Sequence, residues 1–348
     1  MGSVKDLIVS DKPKVDDTGL GWFIFSDRYS VFDWGEMPDL IPNKGAALCT
    51  MAAYCLEQAE EGGIRTHYLG VRESRNSSSK DTKNLSQPAH LMDIEIVRVI
   101  RPSFREGKYD YSDFNSNLTN YLIPLELIYR NCLLPSSSVF QRLNGGSATY
   151  PELGLTQFPR PGEKLSPPLL DVSTKLESKD RYLTWKEAGE ISGLTTGELT
   201  QVKSILTEVN ELVTEIAEKA GLVNEDGKIE VAFNPRRRLI VVDVVGTPDE
   251  CRFTFEGVNV SKEVAREFYR KTEWYDAVQK AKEWAKERGV TNWKELCTIR
   301  PSSLPPALKE IISEMYMSTA NAFLERKLFD SPRLAEVVDK YRKWEKEG

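Results

Sequence analysis

Lys228-Ile229-Glu230-Val231-Ala232-Phe233, then Asn234-Pro235-Arg236-Arg237-Arg238, then Leu239-Ile240-Val241-Val242-Asp243 sets two largely apolar runs on either side of a polar, Pro-containing link. The runs 228–233 and 239–245 have strand character, and the Asn-Pro-Arg link turns the chain back, so the segment forms a hairpin. Side chains alternate across a strand. Lys228, Glu230 and Ala232 therefore share one face, and Ile229, Val231 and Phe233 the other. Asp243 ends an apolar strand. Glu230 and Asp243 on neighbouring strands suit Mg²⁺, a hard ion that takes carboxylate and phosphate oxygens. A solvated hairpin face closed by a strand-end Asp fits the same pattern.

Downstream, Thr247-Pro248-Asp249-Glu250-Cys251-Arg252 is a Pro-Asp turn followed by an arginine. It is either a surface turn or a device aiming Asp249 and Arg252 into a site, Arg being suited to bidentate anion recognition. Upstream, the strand Leu125–Arg130 leads into Pro135-Ser136-Ser137-Ser138 and then Gln141-Arg142. Hydroxyls, backbone N–H groups and arginines in that order make a phosphate cradle or an ordinary Ser-rich turn. A third cluster, Ser26–Asp33 with Ile41-Pro42-Asn43-Lys44-Gly45, places Asp, Arg and Lys at the end of the apolar run 21–25.

The remaining pattern is mixed. Residues 45–60 read as a helix stopped by Gly62-Gly63. Residues 73–87 read as a mobile polar loop, 92–100 as a strand, and 101–117 as a polar, aromatic insertion. The region 135–168, rich in Gly, Pro and Ser, reads as a long loop. Thr184 and Thr195 each open a helix with a Thr-x-x-Glu box. In the second helix Leu199, Val202, Leu206, Val209, Val213, Ile216 and Ala220 form one apolar stripe, and Gly221 ends it. From Ser261 onward the chain is helical, with breaks near Gly289 and at 301–306. Strands first, helices last, predicts a mixed antiparallel α+β protein.

The chain has 348 residues, enough for two domains, and a net charge of -6. That acidity argues against non-specific nucleic-acid or membrane-surface binding. The N-terminus has no signal-peptide pattern, and Asp6 sits where a myristoylation signal wants Ser or Thr. Five scattered cysteines without a CxxC pair argue against a disulfide framework or zinc cluster and favour a reducing cytoplasm. With two histidines, the chemistry must run on carboxylates, lysines, arginines and hydroxyls.

In this order the segments resemble the SAICAR synthetase family, the phosphoribosylaminoimidazole-succinocarboxamide synthases of purine biosynthesis. Gly2–Ile8 is similar to the family's opening strand, Ser26–Asp33 to its Thr-Asp-Arg-x-Ser-Ala-Phe-Asp, and Ile41–Gly45 to its Ile-Pro-x-Lys-Gly. Pro124, Glu126, Arg130, Asn131, Ser137 or Ser138, and Arg142 follow its Pro-x-Glu-x-x-x-Arg-Asn, Gly-Ser and Arg. Lys175 and Asp180 resemble its Lys–Asp loop. Lys228, Glu230 and Phe233 match its hairpin, and Asp243 to Arg252 its Asp-Glu-x-x-Thr-Pro-Asp-Ser-x-Arg. Ser261, Lys262 and Arg266 resemble a later Ser-Lys-x-x-x-Arg. The chain departs from the pattern at Ser3, at Val244, in the missing glycine before Arg142, and at Glu250, where a small hydroxyl residue or glycine is usual.

The resemblance implies two domains, a mainly β nucleotide-binding part at 1–122 and an ATP-grasp-like α+β part at 123–348, with an ATP cleft between them. It implies that ATP phosphorylates the carboxylate of carboxyaminoimidazole ribonucleotide (CAIR) and that L-aspartate displaces the phosphate. Lys5, Glu230 and Asp243 would hold Mg²⁺ and the ATP phosphates, with Glu230 and Asp243 as metal ligands. Lys175, Lys228 and Asp180 would be catalytic. Arg130, Ser137, Ser138, Arg142, Asp249, Arg252 and Arg266 would bind substrate, with Arg28 and Lys44 behind them. Two other readings share the fold: a different ATP-dependent kinase or ligase, and a non-catalytic nucleotide-binding paralogue. A homo-oligomer is left open.

Overall fold

The computed structural model describes residues 4–290 and 292–347; Gly2 and Ser3 of the expected opening motif lie outside the described residues. The elements run β1 (Lys5–Asp11), β2 (Gly19–Phe25), α1 (Lys44–Glu61), β3 (Tyr68–Arg72), β4 (Leu91–Ile96), β5 (Ser103–Arg105), β6 (Lys108–Asp110), β7 (Tyr121–Leu122), β8 (Leu125–Leu133), α2 (Ser138–Asn144), β9 (Glu163–Thr174), α3 (Trp185–Ser192) and α4 (Thr196–Lys219). They continue as β10 (Val223–Phe233), β11 (Leu239–Val242), β12 (Cys251–Phe255), β13 (Val258–Asn259), α5 (Glu263–Arg270), α6 (Glu273–Arg288), α7 (Pro306–Phe323) and α8 (Leu334–Glu347).

Among the described residues the strands make a four-stranded antiparallel sheet, β1-β2-β4-β3, a larger sheet, β13-β12-β10-β8-β9, and the small β5-β6 pair. The expected α+β class is what the chain adopts. β10 is the spine of the larger sheet. Its first half pairs with β12 and β8, and its second half with β11 and β7. The predicted hairpin is present, with Glu230 opposite Val242 and Phe233 opposite Leu239. The two sheets are stitched together where His67 N donates to Val241 O at 3.1 Å and Val241 N donates to Arg65 O at 2.8 Å.

The two faces of β10 go where the period of two sends them. Ile229, Val231 and Phe233 enter the main core, while Ala232 joins a smaller cluster with Val97, Leu122, Ile240 and Val242. The predicted stripe of α4 packs on that core through Val202, Leu206, Val209, Val213 and Ile216, all buried. Thr195 and Glu198 close a reciprocal capping box at its start. α1 is buried on nearly every side, which its small residues Gly45, Ala47, Cys49, Ala52 and Ala53 permit. All five cysteines are buried thiols.

Three expectations change. The loop expected over 135–168 contains α2 and the start of β9, whose Pro167 and Pro168 are tolerated because β9 is an edge strand with β8 as its partner. The insertion at 101–117 carries the β5-β6 hairpin. The loop at 73–87 is pinned by Glu73, which accepts from Ser86 N at 2.6 Å and Lys80 Nζ at 2.9 Å. No helix among the described residues is long and apolar enough to cross a membrane.

Phe233 is 1% exposed and packs between Tyr121, tilted against it with centroids 5.6 Å apart, and the Arg237 guanidinium at 4.3 Å. Phe233→Ala should lower unfolding free energy by about 3–5 kcal/mol in urea titration. A loss below about 1 kcal/mol would show that β10 does not anchor the core.

Candidate active site

A chain of ion pairs runs along the polar face of β10. Lys228 Nζ lies 3.2 Å from Glu250 and 3.0 Å from Glu126. Lys175, just past β9, shares that Glu126 oxygen at 3.0 Å and reaches Glu230 at 2.6 Å. Beyond Glu230 comes Asp243, held by Lys5 from β1 at 2.6 Å. Asp243 adopts φ 65°, a strained conformation for a residue with a Cβ, at the point where the chain leaves β11.

The protonation pattern follows from this order. Burial, then the neighbouring Asp243 charge, pushes Glu230 up to about 7, against the pull of Lys175. Burial also opposes ionisation of Glu126, but Lys228 and Lys175 win and hold its carboxyl below the usual range. Glu250 drives Lys228 up. Burial works against Lys5 and Lys175 too, yet the carboxylates beside them raise both. Acidic and basic groups thus alternate in a half-buried groove, where charge interactions exceed those in water.

At the Lys228 end the groove opens into a cavity of about 370 Å³ rich in arginine. Arg130, buried on β8, donates to Ser138 Oγ at 3.1 Å and lies 3.4 Å from both Asp171 and Asp226. Arg142 pairs with Asp171 and stacks on Tyr182 at 3.9 Å. Arg252 is bidentate on Asp226 and reaches Ser136 Oγ at 2.9 Å. These acids fix the guanidinium planes in advance of any ligand. Gly227 lets this crossing close, since a Cβ there would strike Tyr129 and Cys251. Arg266 is tied to Glu263 at 3.1 Å. An adjoining cavity of about 330 Å³ shares Lys228, Glu250, Lys262 and Arg266 and reaches Ser30 and Asp33.

At the Glu230 end lies a small apolar slot of about 120 Å³ between the two sheets. Leu7, Phe23, Ile94, Val97, Val99 and Leu122 line it, with Glu230 and Asp243 among its polar groups. Its lining is apolar on one side and carries the two carboxylates at its edge. His67 lines it too, its Nε2–H donating to the Asp243 carbonyl oxygen at 3.0 Å, and burial lowers its basicity. No cluster of three or more metal-ligating side chains exists among the described residues. Glu230 and Asp243, which both line the slot, are two carboxylates that could hold a hard cation together with phosphate oxygens.

The fold thus brings Lys5, Lys175, Lys228, Glu230 and Asp243 into one array and Arg130, Ser138, Arg252 and Arg266 around its end, with Arg142 behind that wall on Asp171 and Tyr182. Four expected residues sit differently. Ser137 is buried and its hydroxyl caps α2 by accepting from Val139 N, so Ser136 lines the cavity instead. Asp249 borders the cavity, but its oxygens are held by Lys44 Nζ at 2.7 Å and Tyr316 Oη at 2.6 Å. Asp180 is exposed and lines a neighbouring cleft with Ser178, Lys179 and Lys282. Arg28 is paired with Asp6 at 2.8 Å. Sequence reasoning missed Asp171, Asp226 and Tyr182, and the apolar slot. The period of two that places Lys228 and Glu230 together also points to Asp226.

The SAICAR synthetase family model matches residues 9–286. A protein of Archaeoglobus fulgidus, provisionally named a phosphoribosylaminoimidazole-succinocarboxamide synthase, is 48% identical over 98% of this chain and 99% of its own length. The synthase of that name from Thermoplasma acidophilum is 34% identical over 81% of this chain and 86% of its own. Among solved structures, SAICAR synthase from Saccharomyces cerevisiae complexed with SAICAR aligns over 92% of this chain and 96% of its own, with TM-score 0.60 and 17% identity. A SAICAR synthetase in complex with ADP aligns over 87% and 99%, with TM-score 0.54 and 20% identity. At such identities the structures speak for the fold, and the sequence matches speak for the family. The chain belongs to the SAICAR synthetase family.

Proposed function

We propose that this enzyme joins L-aspartate to CAIR through an acyl phosphate, giving SAICAR, ADP and phosphate in purine biosynthesis. The observation that carries the reading is the ion-pair chain from the apolar slot to the arginine cavity. It leads from a place for a nucleotide base to a place for a ribonucleotide phosphate, with lysines between them. ATP would lie in the cleft between the two halves, 1–122 and 123–348.

A carboxylate oxygen of CAIR attacks the γ-phosphorus and ADP leaves. The aspartate nitrogen then attacks the acyl carbon and phosphate leaves. The ammonium gives up two protons in all, one ending on phosphate and one in solvent. The first step needs no proton transfer, so it asks for position and charge neutralisation rather than a histidine base. Lys5 would sit at the ATP phosphates, and Lys175 and Lys228 beside the transferred phosphoryl. Their carboxylate partners keep them charged and aimed. Arg130, Ser138, Arg142 and Arg252 would grip the ribonucleotide phosphate, with Ser137 holding the helix start and Arg266 completing the wall. Asp249 would set the imidazole side of the cavity through Lys44 and Tyr316, which hold both its oxygens, and Asp180 would reach the imidazole substituents only from the neighbouring cleft.

Glu230 and Asp243 would hold Mg²⁺, and their mutual repulsion in a buried place is what a cation would relieve. When bound, Mg²⁺ supplies charge neutralisation at the phosphate oxygens.

Purified protein with ATP, Mg²⁺ and CAIR, assayed with and without L-aspartate, tests the reading. ADP and phosphate should accumulate together when both co-substrates are present. Sustained aspartate-independent ADP release would favour a kinase, and nucleotide binding without turnover a binding paralogue. Glu230→Ala should lower kcat/KM by at least about 100-fold, in the range for losing a charge-stabilising group. Activity within about threefold of wild type would contradict the metal assignment.

Glu230 also gives a pH signature. Its folded titration near 7 lies above its usual 4.5, so the folded chain keeps a proton that the unfolded chain releases. Its favourable contribution is complete below 4.5 and is lost as pH rises through about 7. Metal-free Glu230→Gln should therefore unfold at higher urea than wild type at about pH 8, the gain vanishing toward about pH 4. A gain independent of pH would contradict the buried-pair account.

A further inference from the structure

The second cavity raises a question of charge. The array and the arginine wall account for a nucleotide and a ribonucleotide phosphate. The adjoining space toward Ser30 and Asp33 opens beside Lys228, where the two would meet. Resting on the ligase reading above, a third substrate must arrive there. It carries two carboxylates and one ammonium.

Cations for carboxylates are at hand. Lys262 is half-buried on that wall, with no carboxylate in ion-pair contact among the described residues. Burial lowers its basicity against the more distant pull of Glu250 and Asp249. Arg266 lies beside it in the same wall. A carboxylate for the ammonium is harder to find. Both oxygens of Asp249 are taken, by Lys44 and Tyr316. Both oxygens of Glu263, on the neighbouring wall, are taken by Arg266 and Arg270. Asp33 is paired with Lys282 at 2.8 Å, with its side chain 83% exposed.

Glu250 is different. It borders both cavities and its side chain is 18% exposed. Its one ion pair among the described residues is the 3.2 Å contact of Oε2 with Lys228. Oε1 has no side-chain partner among the described residues. The surrounding lysines, Lys228 and Lys262 foremost, outweigh the effect of burial and hold the carboxyl in its charged form. This is also the position where the chain departs from the family pattern of a small hydroxyl residue or glycine.

We propose that Glu250 is a specificity-determining residue that receives the α-ammonium of the amino-acid substrate, while Lys262 and Arg266 receive its carboxylates. A zwitterion with two acids and one ammonium is thereby matched group by group, and a dicarboxylate without nitrogen is not.

The test compares L-aspartate with succinate, which keeps both carboxylates and lacks the ammonium. In wild type, Glu250→Gln and Glu250→Ser, one measures KM for L-aspartate and the inhibition constant of succinate against it. The inference predicts that both substitutions raise KM for L-aspartate about 10- to 100-fold, as loss of a charged hydrogen bond does. The succinate constant should stay within about threefold or tighten, because a repelling carboxylate is gone. If Glu250 instead only positions Lys228 and Lys262, both constants shift the same way, and the inference is overturned. Unchanged constants in both variants overturn it too. An active wild type with either of those results removes this inference and leaves the ligase reading standing. A wild type that never consumes L-aspartate sinks the ligase reading itself, and this inference with it.

Discussion

Everything in the site depends on keeping several buried charges on one strand face next to an apolar core. Burying an unpaired carboxylate or ammonium costs far more than a single side chain can recover. β10 solves this by alternation. Asp226, Lys228 and Glu230 face the groove, and each meets an opposite charge from a different element: Arg252 on β12, Glu126 on β8, Lys175 beyond β9. The odd positions between them hold the sheet to α4. If the register slipped by one residue, the charges would enter the core and the phenylalanine would enter the groove.

The one imbalance in the array is between Glu230 and Asp243. Their repulsion is only partly met by Lys5 and Lys175, and it is concentrated where the apolar slot meets the groove. A groove already furnished with oriented cations and one partly balanced anionic pair would have little reorganising to do if phosphates and a hard cation bound there. Such preorganised charge is what phosphoryl transfer demands of a protein. The arginine wall follows the same logic with the signs reversed. Asp171 and Asp226 fix the guanidinium planes, so a phosphate bound there would meet donors already in place.

Much of this was legible in the chain. The hairpin, the stripe of α4 and its capping box are short-range patterns, and they appear where periodicity puts them. Glu230 and Asp243 were readable as a pair because they flank one turn. What could not be read depended on partners distant in sequence. Asn224-Glu225-Asp226-Gly227 has the composition of a turn, yet it forms the first half of β10. Glu225 accepts from Thr254 at 2.8 Å, and Asp226 binds Arg252. Pro167 and Pro168 argued for a loop, but an edge strand needs fewer donors. Among three consecutive serines, the sequence cannot say which one caps the helix and which ones face the cavity. The apolar slot joins residues from β1, β2, β4, β7 and β11, and no local pattern announces it.

If a CAIR carboxylate is activated by phosphoryl transfer within the Lys175–Lys228 groove, one oxygen of that carboxylate must end on phosphate. Following the oxygen tests that claim most directly. CAIR labelled with ¹⁸O in its carboxylate would be turned over with ATP and L-aspartate, and the released phosphate analysed by mass spectrometry. The account predicts one labelled oxygen per phosphate, carried over when the acyl phosphate gives up its phosphoryl group. Unlabelled phosphate accompanying product formation would contradict it.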